Sequence, residues 1–276
     1  MKNLTKKIAL FSCITTALLM SSCDTSDDSG TVDVNYSAED ATRAAQADII
    51  VENTLNIMEN GYVENEETRN SSVSFFPSCT TITITPNGSG GTIVLDFGTS
   101  CTLNNGSVVS GKINLEYGAI VDGTRTINYS FENYTYNGHG VEGGGEIVRD
   151  IENENGNPSS TVNETITVSF EGTAITATRV GLRIAEWIEG VGSGTWTDNV
   201  YSITGNWNTT FSNGFSRSGE VTQPLIRKLN CLYLVSGTLD ISQQALTGTL
   251  DFGDGSCDNI AVFTFNGQDY TIILGQ

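Results

Sequence analysis

The chain has 276 residues, a formal net charge of −19, 38% hydrophobic residues and 16% charged residues. This length fits one large β domain or two small ones. The acidity argues against a nucleic-acid-binding protein, because phosphate recognition needs clustered Lys and Arg, and the basic pair Arg227-Lys228 is too small for that purpose.

The first 22 residues have the pattern of a bacterial lipoprotein signal peptide. Lys2, Lys6 and Lys7 precede an apolar run, 8–20, that is shorter than the roughly 18 to 20 residues a membrane-spanning helix needs. The run ends in Leu-Met-Ser-Ser-Cys, which has the form of a lipobox, so we predict lipidation of Cys23. The alternative is a plain secretory signal that leaves Cys23 as a free thiol.

A short acidic segment and a helix are expected next. Residues 23–36 are rich in Asp and Ser, which predicts a disordered acidic tether. Ser37 is a good N-cap, and apolar residues then recur on one stripe up to Gly61, so the segment 37–61 predicts an amphipathic helix over 38–60. We interpret the helix as one packed on the β domain, with a partner-binding helix as the alternative. Residues 62–72 are predicted to be a linker.

The remaining segment, 73–276, contains only strand patterns. Apolar and polar residues alternate in run after run, and Asn-Gly or Asp-Gly pairs separate many of the runs. These pairs favour tight hairpins, because both turn residues tolerate positive φ. We therefore predict one all-β domain, an antiparallel meander of about 12 to 14 strands that forms a sandwich or a barrel-like sheet.

The cysteines are expected to form disulfides. Six are present, and four remain once Cys13 is removed with the signal peptide and Cys23 is acylated. Four cysteines allow three pairings. A module of a cysteine, β-type sequence, Leu-Asp-Phe-Gly and a second cysteine occurs near both ends of the β region, and this repeat favours the pairs Cys79–Cys101 and Cys231–Cys257.

The second module contains a candidate metal site. Asp251, Asp254 and Asp258 lie within eight residues between glycines, and calcium prefers oxygen ligands from such a turning loop. The first module keeps only the first of these acids, Asp96, so we favour a structural role in which Asp supports a turn, Phe packs and Gly bends the chain. Calcium is the alternative, and no other cofactor is expected.

Two further sets of residues are candidate functional groups. Trp187, Trp196 and Trp207 are typical of a platform on which sugar rings stack, although aromatic residues on strands more often pack in a core. Several carboxylates flank these rings or a glycine run and suggest a hydrolase as a weaker alternative: Glu142, Glu146, Glu186 and Glu189. The single histidine, His139, leaves no histidine-based triad with motif support, so we do not expect an enzyme.

The lipobox, acidic tether, N-terminal helix and paired modules together resemble cell-surface lipoproteins of Bacteroidota, flavobacterial in type. The resemblance covers most of the chain and implies an anchor at the outer membrane, facing the cell surface; it implies no activity. We expect non-catalytic binding of a ligand, with a glycan as the example, or else a structural or interaction role with an envelope protein partner and no small ligand. An exposed aromatic patch would favour the first function, and buried tryptophans would favour the second.

Overall fold

The computed structural model of the protein describes residues 38–67, 74–244 and 246–274, which all belong to one compact unit, Val34–Gln276. The signal peptide, Cys23, the tether and residues 68–73 lie outside the described residues. Within the described ranges, no helix combines the length and the apolar character needed to cross a membrane.

The described residues form one long helix and one large antiparallel sheet, as the sequence predicts. The helix α1 spans Ala38–Glu67. The strands are β1 (Thr81–Asn87), β2 (Gly90–Asp96), β3 (Cys101–Thr102), β4 (Val108–Tyr117), β5 (Thr124–Tyr136), β6 (His139–Asp150), β7 (Ser159–Ser169), β8 (Thr176–Glu189), β9 (Val200–Phe211), β10 (Ser216–Lys228), β11 (Ser236–Gln243), β12 (Leu246–Asp254), β13 (Ile260–Phe265) and β14 (Gln268–Ile273).

The sheet is a meander in which nearly every strand pairs with its neighbours in sequence. The order is β1-β2-β4-β5 and then each strand in turn to β14, while the two-residue strand β3 pairs with β4. The β5–β6 turn shows why the sequence folds in this way. Asn137 and Gly138 both have positive φ, 49° and 82°, as a tight two-residue hairpin requires.

The sheet is open and curves around the helix. Among the described strands, β1 and β14 each have a single neighbour, so the meander does not close on itself. The helix is nevertheless buried at every position from Thr54 to Val63. A helix lying on a flat sheet would expose one side, so burial around its whole circumference means that the sheet wraps it.

The core is the layer between the helix and the concave face of the sheet. One cluster joins helix residues such as Ile50 and Leu55 to the inward side chains of the first half of the sheet, including Leu95 and Ile113. A second cluster joins Val63 to inward residues of β8 to β13. Strands such as β2, β7 and β8 supply these residues at alternate positions, the pattern of a sheet with one buried face.

The helix is longer than predicted. It continues through Gly61 to Glu67 instead of ending at Gly61, so the first six residues of the predicted linker are helical. Gly61 lies against Leu95, and a Cβ atom built at position 61 would be 2.6 Å from Leu95 Cδ1. The glycine therefore serves close packing in the middle of the helix rather than helix termination.

Candidate functional site

The most unusual feature of the molecule is a layer of arginines on the concave face of the sheet. Six of the eight arginines of the chain lie on strands β5, β6, β8 and β10: Arg125, Arg149, Arg179, Arg183, Arg217 and Arg227. Three of them are almost completely buried, with exposed fractions of 0 to 4%: Arg149, Arg179 and Arg183. Buried charges need partners, and the helix supplies most of them.

The first half of the helix supplies Asp48. Its Oδ2 accepts a hydrogen bond of 2.7 Å from Arg217 Nε, and its Oδ1 accepts one of 2.9 Å from Trp207 Nε1. Arg179 lies over the Trp207 ring at 4.3 Å and donates from Nε to Glu164 at 2.6 Å. Burial raises the pKa of Glu164, although Arg179 opposes this effect.

The middle of the helix supplies Glu52 and Asn56. Arg183 donates from Nε to Glu52 Oε1 at 3.1 Å and from Nη2 to Asn56 Oδ1 at 2.7 Å. Burial alone would raise the pKa of Glu52, but Arg183 and Arg179 outweigh it and lower that pKa. The carboxylate is therefore ionised and matched to the arginines.

The second half of the helix supplies Glu59 and Glu66, which both pair with Arg149. Arg149 Nη1 lies 3.2 Å from Glu59 Oε1, and Nη2 lies 2.9 Å from Glu66 Oε2. Ser160 on β7 donates to the same Glu59 oxygen at 3.0 Å. Burial lowers the pKa of Arg149. The carboxylates of Glu59 and Glu66 raise it by a larger amount, so the pKa is higher than the usual arginine value.

Arg227 differs from the other inward arginines. Its guanidinium group forms no ion pair or side-chain hydrogen bond with the part of the chain that the structure describes. It lies on β10 opposite Tyr201 of β9 and is partly buried. Burial lowers its pKa to about 10, so the guanidinium keeps its charge at neutral pH.

Sequence reasoning missed this arginine layer. The signal in the sequence that could have revealed it is the alternation of residues along a strand. On β8, Arg179 and Arg183 alternate in phase with the apolar residues Ala177, Ala185 and Trp187, which places charged and apolar side chains on the same face of the sheet. A buried arginine on a strand requires an acidic or polar partner, and the helix carries most of these partners, while Glu164 of β7 supplies one to Arg179.

The structure does not bring the three candidate tryptophans together on a surface. Trp187 is 2% exposed and stacks on Tyr201 at 6.0 Å. Trp207 lies on β9 opposite Gly181, six residues and roughly 20 Å along β8 from Trp187. Trp196 lies in a short 3₁₀ turn outside the sheet and packs against Phe75 at 5.2 Å. This placement gives no support to a shared stacking platform.

The candidate metal-binding aspartates support turns. Asp251 Oδ1 accepts a hydrogen bond of 2.8 Å from the Gly253 amide, and Asp254 and Asp258 each accept one from the amide two residues further on. The first module repeats the arrangement, with Asp96 Oδ1 accepting at 2.9 Å from the Gly98 amide. Among the described residues, no group of three or more metal-ligating side chains is arranged to hold an ion.

The modules also contain the predicted disulfides, and both pairings are confirmed. Cys79 is bonded to Cys101, and Cys231 is bonded to Cys257. The phenylalanine of each module packs in the core, as expected: Phe97 is 1% exposed and Phe252 is 8% exposed.

The other candidate acids lie at exposed or partly exposed positions of the sheet, and Glu189 is exposed at the end of β8. Glu142 and Glu146 are exposed on β6. Glu186 accepts hydrogen bonds from the side-chain amides of Asn155 and Asn157, which lower its pKa. His139 begins β6; its Nδ1 accepts a hydrogen bond of 3.1 Å from the Glu171 amide, and its Nε2 is 2.7 Å from Gln46 Nε2.

The C-terminal hairpin presents a different kind of surface. All six residues of β14 are exposed, and the exposed fractions of Tyr270 and Ile272 are 50% and 38%. Tyr270 lies opposite Phe263, and Ile272 lies opposite the buried Ala261. Opposed residues point to the same face, so the two exposed side chains extend the concave apolar face to the open edge of the sheet.

Comparison of the chain with protein families, curated proteins and solved structures finds no match.

Proposed function

We propose that the protein is a lipid-anchored protein of the bacterial outer membrane that binds an envelope protein at the cell surface and catalyses no reaction. The observation that carries this proposal is the open edge strand β14, whose main chain pairs on one side only among the described strands and whose exposed side chains include Tyr270, Ile272 and Ile273. The anchor is the lipid predicted on Cys23, and the surface location rests on the resemblance to Bacteroidota lipoproteins.

An edge strand of this composition is suited to strand addition. A partner segment in extended conformation gains main-chain hydrogen bonds along the strand, and pockets for alternate side chains provide specificity. β14 has the sequence Gln-Asp-Tyr-Thr-Ile-Ile, with Asp269 as its one charged residue and no proline. Proteins that need to prevent such pairing place Lys or Pro on the edge.

The opposite edge illustrates that protection. β1 contains Pro86, which has no N–H group to donate. Proline thus interrupts the hydrogen-bond donors of the β1 edge, whereas β14 contains no proline. The β14 edge is therefore the better suited of the two to strand addition.

The aromatic residues support a protein partner over a glycan. A glycan platform needs several exposed rings in one patch, whereas Trp187, Tyr134, Tyr136 and Tyr201 are each at most 2% exposed. The weaker hydrolase alternative also lacks support. Among the described residues, Glu164 is the one carboxyl with a raised pKa, and it is 1% exposed and bonded to Arg179, where no substrate reaches it.

Photo-crosslinking in the living bacterium that produces the protein tests the partner. A benzophenone amino acid in place of Tyr270 is expected to give one discrete protein adduct. The matched control places the same residue at Ile84 on β1, the other edge strand, where the native side chain is apolar and 38% exposed, against 50% for Tyr270. The additional substitution Ile272→Lys should abolish the adduct, because a charge on the edge opposes pairing. An adduct of equal yield from position 84, or none from position 270, contradicts the proposal.

A separate experiment tests the anchor. Metabolic labelling with a palmitate analogue should label the wild-type protein, and Cys23→Ala should remove the label and release the protein from the membrane fraction. Protease added to intact cells should degrade the anchored form if it faces outward. A label that survives in Cys23→Ala would contradict lipidation at Cys23. Protection of the protein from protease until the cells are broken would contradict the outward orientation.

A further inference from the structure

We propose that the space between the second half of α1 and strands β8 to β10 is a binding site for an oxyanion, the carboxylate or phosphate group of a small ligand. Four hydrogen-bond donors define the site: the guanidinium groups of Arg183 and Arg227, the Asn60 side-chain amide and the Trp187 indole N–H. The site is separate from the β14 edge and does not depend on the function proposed there.

Three of these donors are buried without a partner. Arg183, Asn60 and Trp187 are 4%, 4% and 2% exposed. Arg183 Nη1, Asn60 Nδ2 and Trp187 Nε1 have no hydrogen-bond acceptor among the described residues. A buried polar group without a partner costs about 1–3 kcal/mol, and native proteins rarely leave several together.

The donors belong to one region of the fold. Asn60 follows Asn56 by one helical turn on the same side of α1, and Asn56 accepts a hydrogen bond of 2.7 Å from Arg183 Nη2. Trp187 lies four residues after Arg183 on β8, on the same face of the strand. Its ring stacks on Tyr201, which is the β-ladder partner of Arg227. Val63, one turn after Asn60, packs in the same apolar cluster as Trp187 and Tyr201.

The charge of the site is positive. The carboxylates that raise the pKa of Arg227 are those of Glu52 and Glu59, and both are already engaged, Glu52 with Arg183 and Glu59 with Arg149. Arg227 has no counter-ion of its own among the described residues. Since an uncompensated cation in a partly buried position is costly, this excess positive charge favours an anionic ligand, in a protein whose overall charge is −19.

The chemistry of the donors selects an oxyanion over a neutral ligand. The two guanidinium groups, the amide N–H and the indole N–H all donate hydrogen bonds, and none of them accepts one. A carboxylate or a phosphate offers several acceptor lone pairs, and hydrogen bonds between charged groups are roughly twice as strong as neutral ones. Arg227 is partly exposed, so a ligand from solvent meets this residue first.

Thermal unfolding of the purified mature protein tests the site, with sodium phosphate and sodium acetate as probes and sodium chloride at equal ionic strength as the reference. A saturable rise in Tm with phosphate or acetate is expected, because a ligand that binds only the folded state stabilises it. The tryptophan emission should change over the same concentration range, since Trp187 lies in the site.

Three variants make the test specific. Arg227→Gln should weaken the anion affinity by roughly 10- to 100-fold, the loss of one charged hydrogen bond. Trp187→Phe keeps the ring but removes the N–H group, so it should weaken the affinity less and abolish the emission change. Lys112→Gln, which removes one charge at an exposed surface pair, should leave the affinity unchanged.

The outcomes separate the proposal from its rivals. If phosphate, acetate and chloride give the same Tm at every concentration, water alone satisfies the buried donors and the proposal is wrong. The same conclusion follows if Arg227→Gln folds and responds like the wild type, because the anion would then bind elsewhere. Should Arg227→Gln not fold, Trp187→Phe decides: an emission change retained in that variant would overturn the site.

Discussion

Glu59 on the buried helix and Arg149 on β6 lie 90 residues apart in sequence and 3.2 Å apart in space, and their side chains are 4% and 1% exposed. This ion pair joins the helix to the sheet inside the core. Its energetic weight comes from burial, because either charge without the other would be desolvated and uncompensated.

Removing one member of this pair should therefore be strongly destabilising. We expect Glu59→Ala to lower the free energy of unfolding by about 3–5 kcal/mol, measured by guanidinium chloride denaturation. The control is Glu39→Ala, which removes an exposed partner of Arg43 within the same helix and should cost at most about 0.5 kcal/mol. Similar losses in the two variants would show that the buried pair carries no special weight.

The sequence predicts the strands well because their signals are local. Alternation of apolar and polar residues and paired turn residues such as Asn137-Gly138 act over a few positions, and the structure follows them. The position of the helix is a tertiary property. The alternation on β8 does not reveal that the sheet curves around α1, and only that curvature explains why Trp187 and Arg183 are both buried.

The helix boundary shows the same limit. Glycine near the end of an apolar stripe usually marks a helix C-terminus, and Gly61 satisfies that local rule. In the folded protein the contact with Leu95 decides its role. The interior arginines were missed for a related reason, since strand arginines are usually assigned to solvent and the partner acids are distant in sequence.

The single histidine gives a pH-dependent test of the packing near the start of the helix. Burial lowers the pKa of His139, although Glu171 opposes the shift. The ring accepts a hydrogen bond at Nδ1 from the Glu171 amide, which requires the neutral form. We expect the NMR signal of the histidine ring to titrate with a midpoint below the usual value of about 6.5.

The same shift has a consequence for stability. A group with a lowered folded pKa stabilises the fold fully above its unfolded pKa and loses that contribution as the pH falls through the folded pKa. Between pH 7.5 and pH 5, the wild type should therefore lose more stability than His139→Gln, which has no titrating ring. A ring midpoint at or above about 6.5 would contradict the burial of His139 and its hydrogen bond with the Glu171 amide.

The two disulfides should differ in their contributions to stability. Their sequence separations are similar, 22 and 26 residues, so loop-closure entropy assigns about 3 kcal/mol to each. Cys101 is 2% exposed and packs in the core, whereas Cys257 is exposed. Replacing Cys79 and Cys101 by alanine should cost about 1 kcal/mol more than replacing Cys231 and Cys257, because it also removes buried atoms.

Denaturation of the two double variants and of the wild type measures this difference. The reduced wild type provides the control, because it breaks both bonds and keeps the sulfur atoms in place. An equal or larger loss from the Cys231 and Cys257 replacement would show that packing at Cys101 contributes little.

Because Gly61 lies so close to Leu95, replacing it by alanine has two effects of opposite sign on stability. Alanine is favoured over glycine in a helix interior by about 1 kcal/mol. The added Cβ, however, would stand 2.6 Å from Leu95 Cδ1, and Leu95 is fully buried. Overpacking a closed core costs about 1–3 kcal/mol, so we expect Gly61→Ala to be net destabilising.

A double-mutant cycle separates the two effects. Leu95→Ala alone should cost about 2–5 kcal/mol through the cavity that it leaves. In that background Gly61→Ala should become neutral or stabilising, because the methyl group enters the space vacated by leucine and the helix propensity then dominates. Additive losses in the double variant would mean that the contact between the two residues does not govern the packing of the helix inside the sheet.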